Sequence, residues 1–561
     1  MTQRNWLSYL RPHPDEHSPA SLRLVIAAVS GAALSLSYTG FYLGIYSWIC
    51  VGILLVVLFG ATPKVAFGCG FLHGLIFCIT SVPWIATVLA VHGGVSRLGG
   101  WGVLLLIGAA WGLLTGFFAW IIHRLSLQST KLACFGAPFV WVTFEFARAH
   151  LPEISFPWNL LGYPAAANLG LAQITTVTGI YGISFSVAAF NALLAWCDAG
   201  PAITAKRRLG MLAAAAACII AALLIGPRLV PRPQANHVAR AVQLNFPEAP
   251  AYGSDWFATH TRDLDEAARW SLTPAGNNNP DLLIWPEAPA PFSYQDPHFA
   301  KFAAHLAQQF AHPFLAGAIE WKIPADGANT TAHNALAPYN SALLFNAKGE
   351  RVFSYDKIHL VPFGEYEPFP LIHTVVNHVS DEVGGFRKGQ TRSNAQLPGG
   401  YSFGVFICYE AIFPGEIRKF AADGANLLIN ISNDGWFGRS AAAQQHLLMA
   451  RIRAVENHRW MIRVTNNGFT ASIDPYGRIF EPLPPDVRAG ADLPYDFRTD
   501  RTIYTRFGDW FAWLCVLVSV ILLASTFSKG NVTSDTLPIP VEFLASPIAV
   551  VPDPVTSRSS L

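Results

Sequence analysis

The side chain best suited to covalent chemistry is Cys408. It stands near the end of GVFICYE, which reads as a hydrophobic strand running into a polar pair. FPGEIRKF follows, and its Pro414 and Glu416 favour a first helical turn. The thiol is therefore expected on a strand-to-helix elbow, with the backbone N–H of Tyr409 placed to donate to an oxyanion. A free thiol has a pKa of ~8.5, so attack at neutral pH needs a base or a cation beside it. Two segments offer them. Glu287 ends LLIWPE, where Pro286 halts the ladder as the carboxylate emerges. Lys357 leaves a hairpin at YDKIHLVPFGEYEPF, followed by Pro362, Gly364, Glu365 and Glu367. Singly, Glu287 and Lys357 read as surface charges. With Cys408, each at an element end and flanked by aromatics, they read as base, oxyanion clamp and nucleophile.

These residues need a scaffold, and residues 237 to 507 supply alternating signals for one. HVARAVQLNF, DLLIWPE, PFLAGAIEW, YSFGVFICYE and ANLLINISN read as strands bounded by Asp, Gly or Pro. HFAKFAAHLAQQF sets Phe299, Phe302, Leu306 and Phe310 on one helical face, and AAAQQHLLMARIRAVENH does the same with Leu448, Ile452 and Val455. AKG and PYG supply the turns of two strand pairs. The pattern predicts one layered α/β domain with mixed sheets, entered through the Pro-rich linker GPRLVPRPQAN. Of the eight cysteines, Cys50, Cys69, Cys78, Cys134, Cys197, Cys218 and Cys515 lie in or beside apolar runs, and Cys408 alone belongs to this domain. A lone cysteine has no intradomain disulfide partner, which leaves a reactive thiol or an inert core thiol.

The rest of the 561 residues is built for lipid. Charged residues are 13% of the chain, about half the globular share of roughly 25%, and the mean hydropathy is +0.33. From Leu24 to Gly226 the only charges are Lys64, Arg97, Arg124, Lys131, Glu145, Arg148, Glu153, Asp198, Lys206, Arg207 and Arg208. Apolar runs near 22 to 38, 41 to 60, 65 to 90, 100 to 122, 133 to 150, 174 to 196, 209 to 226 and 508 to 527 predict eight membrane spans. A cleaved signal peptide is the other reading of the first, but no small-residue cleavage site leads into a polar start. With the N-terminus inside, the inner segments hold Arg4, Arg11, Arg23, Lys64, Arg124, Lys131, Lys206, Arg207, Arg208, Lys529 and Arg558, and the outer loops only Arg97 and Arg148. That bias puts residues 227–507 outside the cytoplasm. The expected domains are a cytoplasmic segment (1–21), a seven-helix bundle (22–226), the α/β domain (227–507), an eighth helix (508–527) and a mobile tail (528–561). Glu145 and Arg148, three apart, are expected to form a structural ion pair.

WPE, YDKIHLVPFGEYEP, ICYExxFP, SNDGWFG and MARIRAVENHRWMIRVTNNG occur in that order. Within this topology they resemble the nitrilase-type domain of the apolipoprotein N-acyltransferase family. The resemblance covers about 22 to 527, leaves the first 20 residues and the tail without counterparts, and finds in the PAP after Glu287 an unusual continuation. It implies an α/β/β/α sandwich with a Glu-Lys-Cys triad, here Glu287, Lys357 and Cys408. Supporting or substrate-contact positions fall on Glu365, Tyr409, Glu410 and Trp436, and on Phe437, Asn340 and Trp256. It implies ping-pong transfer of an sn-1 acyl chain from a phospholipid, through a Cys408 thioester, to the α-amine of a diacylglyceryl-cysteine apolipoprotein. The expected setting is the bacterial inner membrane, as a monomer with its catalytic domain on the periplasmic face.

No cofactor is expected, since ester, thioester and amide exchange without a nucleotide. GGFRKGQT lacks the lysine of a phosphate loop and reads as a turn. The 17 histidines show no helical HxxxH pair with an acid, so no metal is expected. A net charge of +2 argues against nucleic acid. Two other functions compete. A membrane-tethered amidase would send water to the thioester, and Glu-Lys-Cys chemistry alone does not separate it from a transferase. A transporter would place paired polar residues in several spans. EYEPFPLI, with Phe369, and DGWFG, with Trp436, are read either as interfacial arms over the thiol or as packed rings.

Overall fold

The computed structural model describes residues 19–39, 44–93, 95–151, 155–199, 204–247, 256–273, 279–288, 290–324, 336–362, 364–366 and 385–528. Residues 1–18 of the segment expected to be cytoplasmic, Glu153, Glu367, Phe369 and the tail beyond 528 lie outside these residues.

The helical part contains α1 (Ala20–Ser35), α2 (Cys50–Leu58), α3 (Pro63–Ser81), α4 (Trp84–Val91), α5 (Arg97–Gln128) and α6 (Thr130–Ala149). Three single turns follow, α7 (Tyr163–Ala166), α8 (Leu169–Ala172) and α9 (Thr175–Thr178), then α10 (Ile180–Ala199) and α11 (Ala205–Leu229). Thr62, Ser96 and Ser129 cap α3, α5 and α6 by accepting backbone N–H bonds from Val65, Gly99 and Leu132. Glycines let the helices approach closely. A Cβ on Gly31 would meet the His73 carbonyl oxygen at 2.3 Å, and one on Gly70 would meet that of Thr115 at 2.3 Å.

Among the described residues, six helices are long and apolar enough to cross a membrane, including the one at the C-terminal end, Trp510–Phe527. This differs from the expected eight. The run at 41 to 60 is a 3₁₀ segment, Gly44–Trp48, followed by the short α2. α6 has the length but carries Glu145 and Arg148. The run at 65 to 90 breaks between α3 and α4, where Pro83 lacks an N–H and restricts Val82. Glu145 and Arg148 do not bond each other as expected. Glu145 Oε1 accepts from Leu161 N (2.6 Å) and Trp141 Nε1 (3.0 Å), while Arg148 Nη2 donates to the Trp158 carbonyl (2.9 Å) and covers the Trp111 ring. Both tie α6 to the loop at 158–161.

The remainder is a sandwich of two six-stranded sheets. The first is ordered β12-β1-β2-β3-β4-β5 and the second β11-β10-β9-β8-β7-β6. In chain order the elements are β1 (His237–Gln243), α12 (Trp256–Thr259), α13 (Thr261–Leu272), β2 (Leu282–Ile284), α14 (Pro297–Phe310), β3 (Phe314–Lys322), β4 (Ala337–Phe345), β5 (Arg351–Asp356), β6 (Ala395–Gln396), β7 (Ser402–Ile407), α15 (Pro414–Ala422), β8 (Leu427–Ser432), α16 (Ala442–Asn457), β9 (Met461–Thr465), β10 (Thr470–Ile473), β11 (Ile479–Leu483), β12 (Ala489–Tyr495), α17 (Ile503–Phe507) and α18 (Trp510–Ser528). β1, β2 and β3 run parallel, as do β7, β8 and β9, while both expected hairpins, β4–β5 and β10–β11, form antiparallel pairs.

Strand alternation builds the layers. On β2, Leu282 and Ile284 face the core shared with the second sheet, whereas Leu283 and Trp285 face α13 and α14 together with Phe299 and Leu306. The Trp285 indole N–H donates to Ser271 Oγ of α13 (2.9 Å). α16 departs from its expected amphipathic reading. Leu448 is half-buried, and Gln445, His446, Arg453, Glu456 and Asn457 are buried beside Ile452 and Val455. α16 lies between the sandwich and the helical part, so most of both faces is covered and Gln444 alone is exposed.

Candidate active site

Strand ends bring the predicted residues together. Glu287 follows β2, Lys357 follows β5, Cys408 follows β7, and Asn433 follows β8. The loops beyond the ends of parallel strands are where α/β folds form crevices. Glu287, Lys357 and Cys408 are all buried.

The Lys357 ammonium donates to Glu287 Oε1 and Glu365 Oε1, each at 2.9 Å. Asn340, on β4, bridges the same two oxygens through Nδ2 at 2.7 and 2.8 Å. The second oxygens are used as well. Glu287 Oε2 accepts from Asn433 N (2.8 Å) and Glu365 Oε2 from Val361 N (2.8 Å). Burial opposes the charge on Lys357, yet Glu287 and Glu365 hold its ammonium well above the ordinary lysine value. Two carboxylates against one ammonium leave a surplus negative charge beside the thiol. Burial first, then Glu287, pushes the Cys408 thiol up, against the opposing pull of Lys357. Cys408 is thus a neutral thiol at rest, next to a carboxylate able to collect its proton.

The elbow forms as expected, with a 3₁₀ turn at Cys408–Ile412 between β7 and α15. Cys408 itself sits at φ 47°, in the left-handed region. A non-glycine residue there costs on the order of 1–3 kcal/mol and persists only where neighbours over-determine it. Glu410 is one such neighbour. Its Oε2 accepts from Ile407 N (2.7 Å), and its Oε1 accepts from Tyr355 Oη (2.9 Å), Ile358 N (2.7 Å) and His359 N (3.1 Å). One buried carboxylate thereby locks the cysteine elbow to the lysine loop. Tyr409 donates its hydroxyl to the Ser155 carbonyl (3.2 Å) and stacks on Phe156, turning its ring toward the helical part.

Phe437 packs its ring edge-on against Trp84 at 4.9 Å, and Trp436 lies 4.6 Å from His92. DGWFG therefore contacts α4 and its C-terminal end, which favours the packed reading of these rings. Trp256 sits in the helix-side core of the first sheet, stacked on His260 at 4.5 Å and edge-on to Phe292. The segment around Gly389 is irregular chain, and that glycine lies against the Asp356 carbonyl.

Sequence reasoning missed a second buried cluster behind the thiol. Asp434 accepts from Arg463 Nη2 through both oxygens (3.0 and 2.7 Å) and from Ser432 Oγ (2.8 Å). His446 Nδ1 lies 3.1 Å from Arg463 Nη2, and its Nε2 lies 3.0 Å from the Cys408 carbonyl oxygen. The available signal was Arg463 inside the apolar run WMIRVT and Asp434 just past ANLLINIS: charged groups at buried strand positions must be paired. Ligand atoms of Cys408, Asp434 and His446 lie within 4.8 Å of one another, close enough for a metal. The donor set does not suit one. Arg463 already occupies the acceptor sites of Asp434 and Nδ1, and a cation would have to displace that guanidinium.

Residues 234–488 match the carbon-nitrogen hydrolase family, and residues 30–193 match the apolipoprotein N-acyltransferase N-terminal domain. The chain is 31% identical over 513 residues to an apolipoprotein N-acyltransferase of Geobacter metallireducens, covering 91% of this chain and 96% of that one. A second protein of that name, from Allorhizobium ampelinum, is 32% identical over 485 residues, covering 82% and 87%. A solved amidase of the nitrilase superfamily from Nesterenkonia aligns at 18% identity over 47% of this chain and 93% of its own, with a TM-score of 0.33. With both parts matched in order, and one relative aligned over nearly its whole length, the chain belongs to the apolipoprotein N-acyltransferase family.

Proposed function

We propose that this protein moves a fatty acyl chain from the sn-1 ester of a membrane phospholipid to the free α-amine of a diacylglyceryl-cysteine apolipoprotein, by way of a thioester on Cys408. Glu287 takes the thiol proton, and the sulfur attacks the ester carbonyl. Lys357 and the N–H of Tyr409 hold the oxyanion. Collapse breaks the ester C–O bond, and the lysophospholipid leaves with the proton from Glu287. The neutral fraction of the acceptor amine, whose pKa is ~7.7–8.0, then attacks the thioester. Glu287 removes the amine proton and returns it to the departing sulfur, so the amide forms and the thiol is restored. Ester, thioester and amide interconvert without a nucleotide.

The observation that carries this reading is the Lys357 ammonium held between Glu287 and Glu365 beside a buried, neutral thiol. Glu365, Asn340 and Glu410 act as positioning residues for it. The charge bias of the loops supports residues 227–507 as a periplasmic domain of an inner-membrane protein, with the apolar helices crossing the bilayer. The ring-lined contact among Tyr409, Phe437 and the loop at 155–161 supports entry of lipid from the bundle side.

Intact-mass measurement on protein purified from membranes tests the reading. Wild type is expected to carry an acyl adduct that maps to Cys408, and Cys408→Ala none. A bare thiol that passes no fatty chain to a lipopeptide amine would reject the transferase, and release of free fatty acid alone would favour the amidase.

A further inference from the structure

Consecutive residues at the start of α16 face two different partners. Gln445 points into the helical part with its amide fully used. Its Oε1 accepts from the indole nitrogens of Trp158 (2.6 Å) and Trp84 (3.4 Å), and its Nε2 donates to the carbonyls of Tyr38 (3.0 Å) and Ser81 (3.2 Å). One buried side chain thus gathers the end of α1, the break between α3 and α4, and the loop after α6. His446, the next residue, has no exposed surface and reaches the carbonyl of Cys408.

The tautomer of His446 follows from its neighbours. Burial and the adjacent Arg463 guanidinium push the imidazole down, so it is neutral. The Cys408 carbonyl oxygen can only accept, so Nε2 carries a proton aimed at it, while Nδ1 lies 3.1 Å from both Arg463 Nη2 and Asp434 Oδ1. Asp434 fixes Arg463 in turn, and Arg463 also bonds Asn430 on β8. The Cys408 carbonyl belongs to the same peptide unit as the Tyr409 N–H. Whatever holds that oxygen therefore sets both the left-handed backbone of the nucleophile and the direction of the oxyanion donor. The rings of Trp158 and Phe437 cover His446 at 5.8 and 5.9 Å, so the imidazole is also packed against the bundle contact.

From this arrangement we propose that His446 is a positioning residue for the Cys408–Tyr409 peptide, and that Gln445 subordinates it to the membrane bundle. The thiol and its oxyanion donor are aligned only while the bundle segments at Tyr38, Ser81–Trp84 and Trp158 grip the start of α16. This rests on Cys408 being the acylated group, and it goes further by naming what aligns that group.

The test uses the full chain in detergent or nanodiscs. It reads two acylations, by phospholipid (adduct mass) and by a soluble p-nitrophenyl ester (nitrophenol burst), alongside thermal unfolding. His446→Leu removes the donor, and a displacement near 1 Å at a reacting centre costs about 10²-fold. We expect acylation by both donors to slow by about that factor, in kcat and not in KM. His446→Gln places an amide N–H near the position of Nε2 and is expected to recover most of the rate, which a purely structural role would not produce. Gln445→Met keeps volume and removes the four bonds, and roughly tenfold slower acylation is expected. Combined with His446→Leu it should add nothing, because residues acting through one another are non-additive.

The proposal is overturned if folded His446→Leu acylates at the wild-type rate, if folded His446→Gln is no better than His446→Leu, or if the two substitutions add independently. Should His446→Leu fail to fold, His446→Gln and Gln445→Met decide alone: wild-type rates in a folded Gln445→Met overturn the coupling. Absence of a phospholipid adduct in wild type would count against the proposed function, while the ester burst still reads the alignment.

Discussion

Two buried charge clusters flank Cys408, and they differ in balance. On one side Glu287 and Glu365 share a single ammonium from Lys357, so one negative charge is left over. On the other, Asp434 is matched by Arg463 with a neutral His446 between them and the backbone. Both are removed from water to a similar degree. An unbalanced cluster can accept a proton as part of its ordinary business, whereas a balanced one resists any change in protonation and suits a mechanical role. On the proposed function the first carries the chemistry, and on the further inference the second carries the alignment.

Substitutions that break each cluster should separate these roles. The largest expected effect on activity is in the unbalanced cluster. Cys408→Ala, Glu287→Gln and Lys357→Met should each lower acyl transfer by roughly 10³-fold or more, measured with a lipopeptide acceptor. Glu287→Gln should do so without lowering the thermal unfolding temperature, because it relieves the surplus charge. Asp434→Asn should show the converse emphasis, leaving a buried guanidinium unmatched at about 3–5 kcal/mol of stability. Its pH signature has a definite sign. Against the opposing effect of burial, the Arg463 guanidinium holds the Asp434 carboxyl below its ordinary value. Its contribution is therefore complete above pH ~4 and is lost as pH falls below that, and an acid-unfolding midpoint unchanged in Asp434→Asn would contradict the assignment.

Smaller effects sharpen the same contrast. Glu365→Gln keeps Glu287 as base but weakens the hold on Lys357, so about 10–100-fold slower transfer is expected, with both half-reactions slowed alike. Thiolate absorption should be missing from wild type at neutral pH and should emerge only on the alkaline side. In Glu287→Gln it should emerge at lower pH, since a charge that raises the thiol has been removed. A more acidic yet less reactive sulfur would show that Glu287 acts as base. Trp256→Phe, in a packed core, should alter transfer by no more than a few-fold.

Much of this was legible in the sequence because strands and their ends leave period-two and Pro/Gly signatures. LLIWPE and GVFICYE each announced a strand with a reactive residue just past its end, and Glu287 and Cys408 stand there. The spans were read less well. Hydropathy does not register that Pro83 interrupts a run, nor that Gly44–Trp48 is a 3₁₀ segment. The second cluster was illegible for a different reason. Asp434, His446 and Arg463 come from a turn, a helix and a strand, and the apolar spacing of Leu448, Ile452 and Val455 marked one face of α16 and said nothing of the face that carries Gln445 and His446. That face is buried against the bundle, and burial by a distant part of the chain leaves no local period.

The central claim is that the sulfur of Cys408 relays the acyl chain. The most direct measurement is a single-turnover chase: acyl-enzyme is isolated, a lipopeptide with a free N-terminal amine is added, and both masses are followed. The account predicts that the enzyme loses one acyl group as the lipopeptide gains it in amide linkage, at matching rates. An adduct that persists while lipopeptide is acylated at the normal rate by other enzyme molecules, or a chain that maps to a residue other than Cys408, would contradict it.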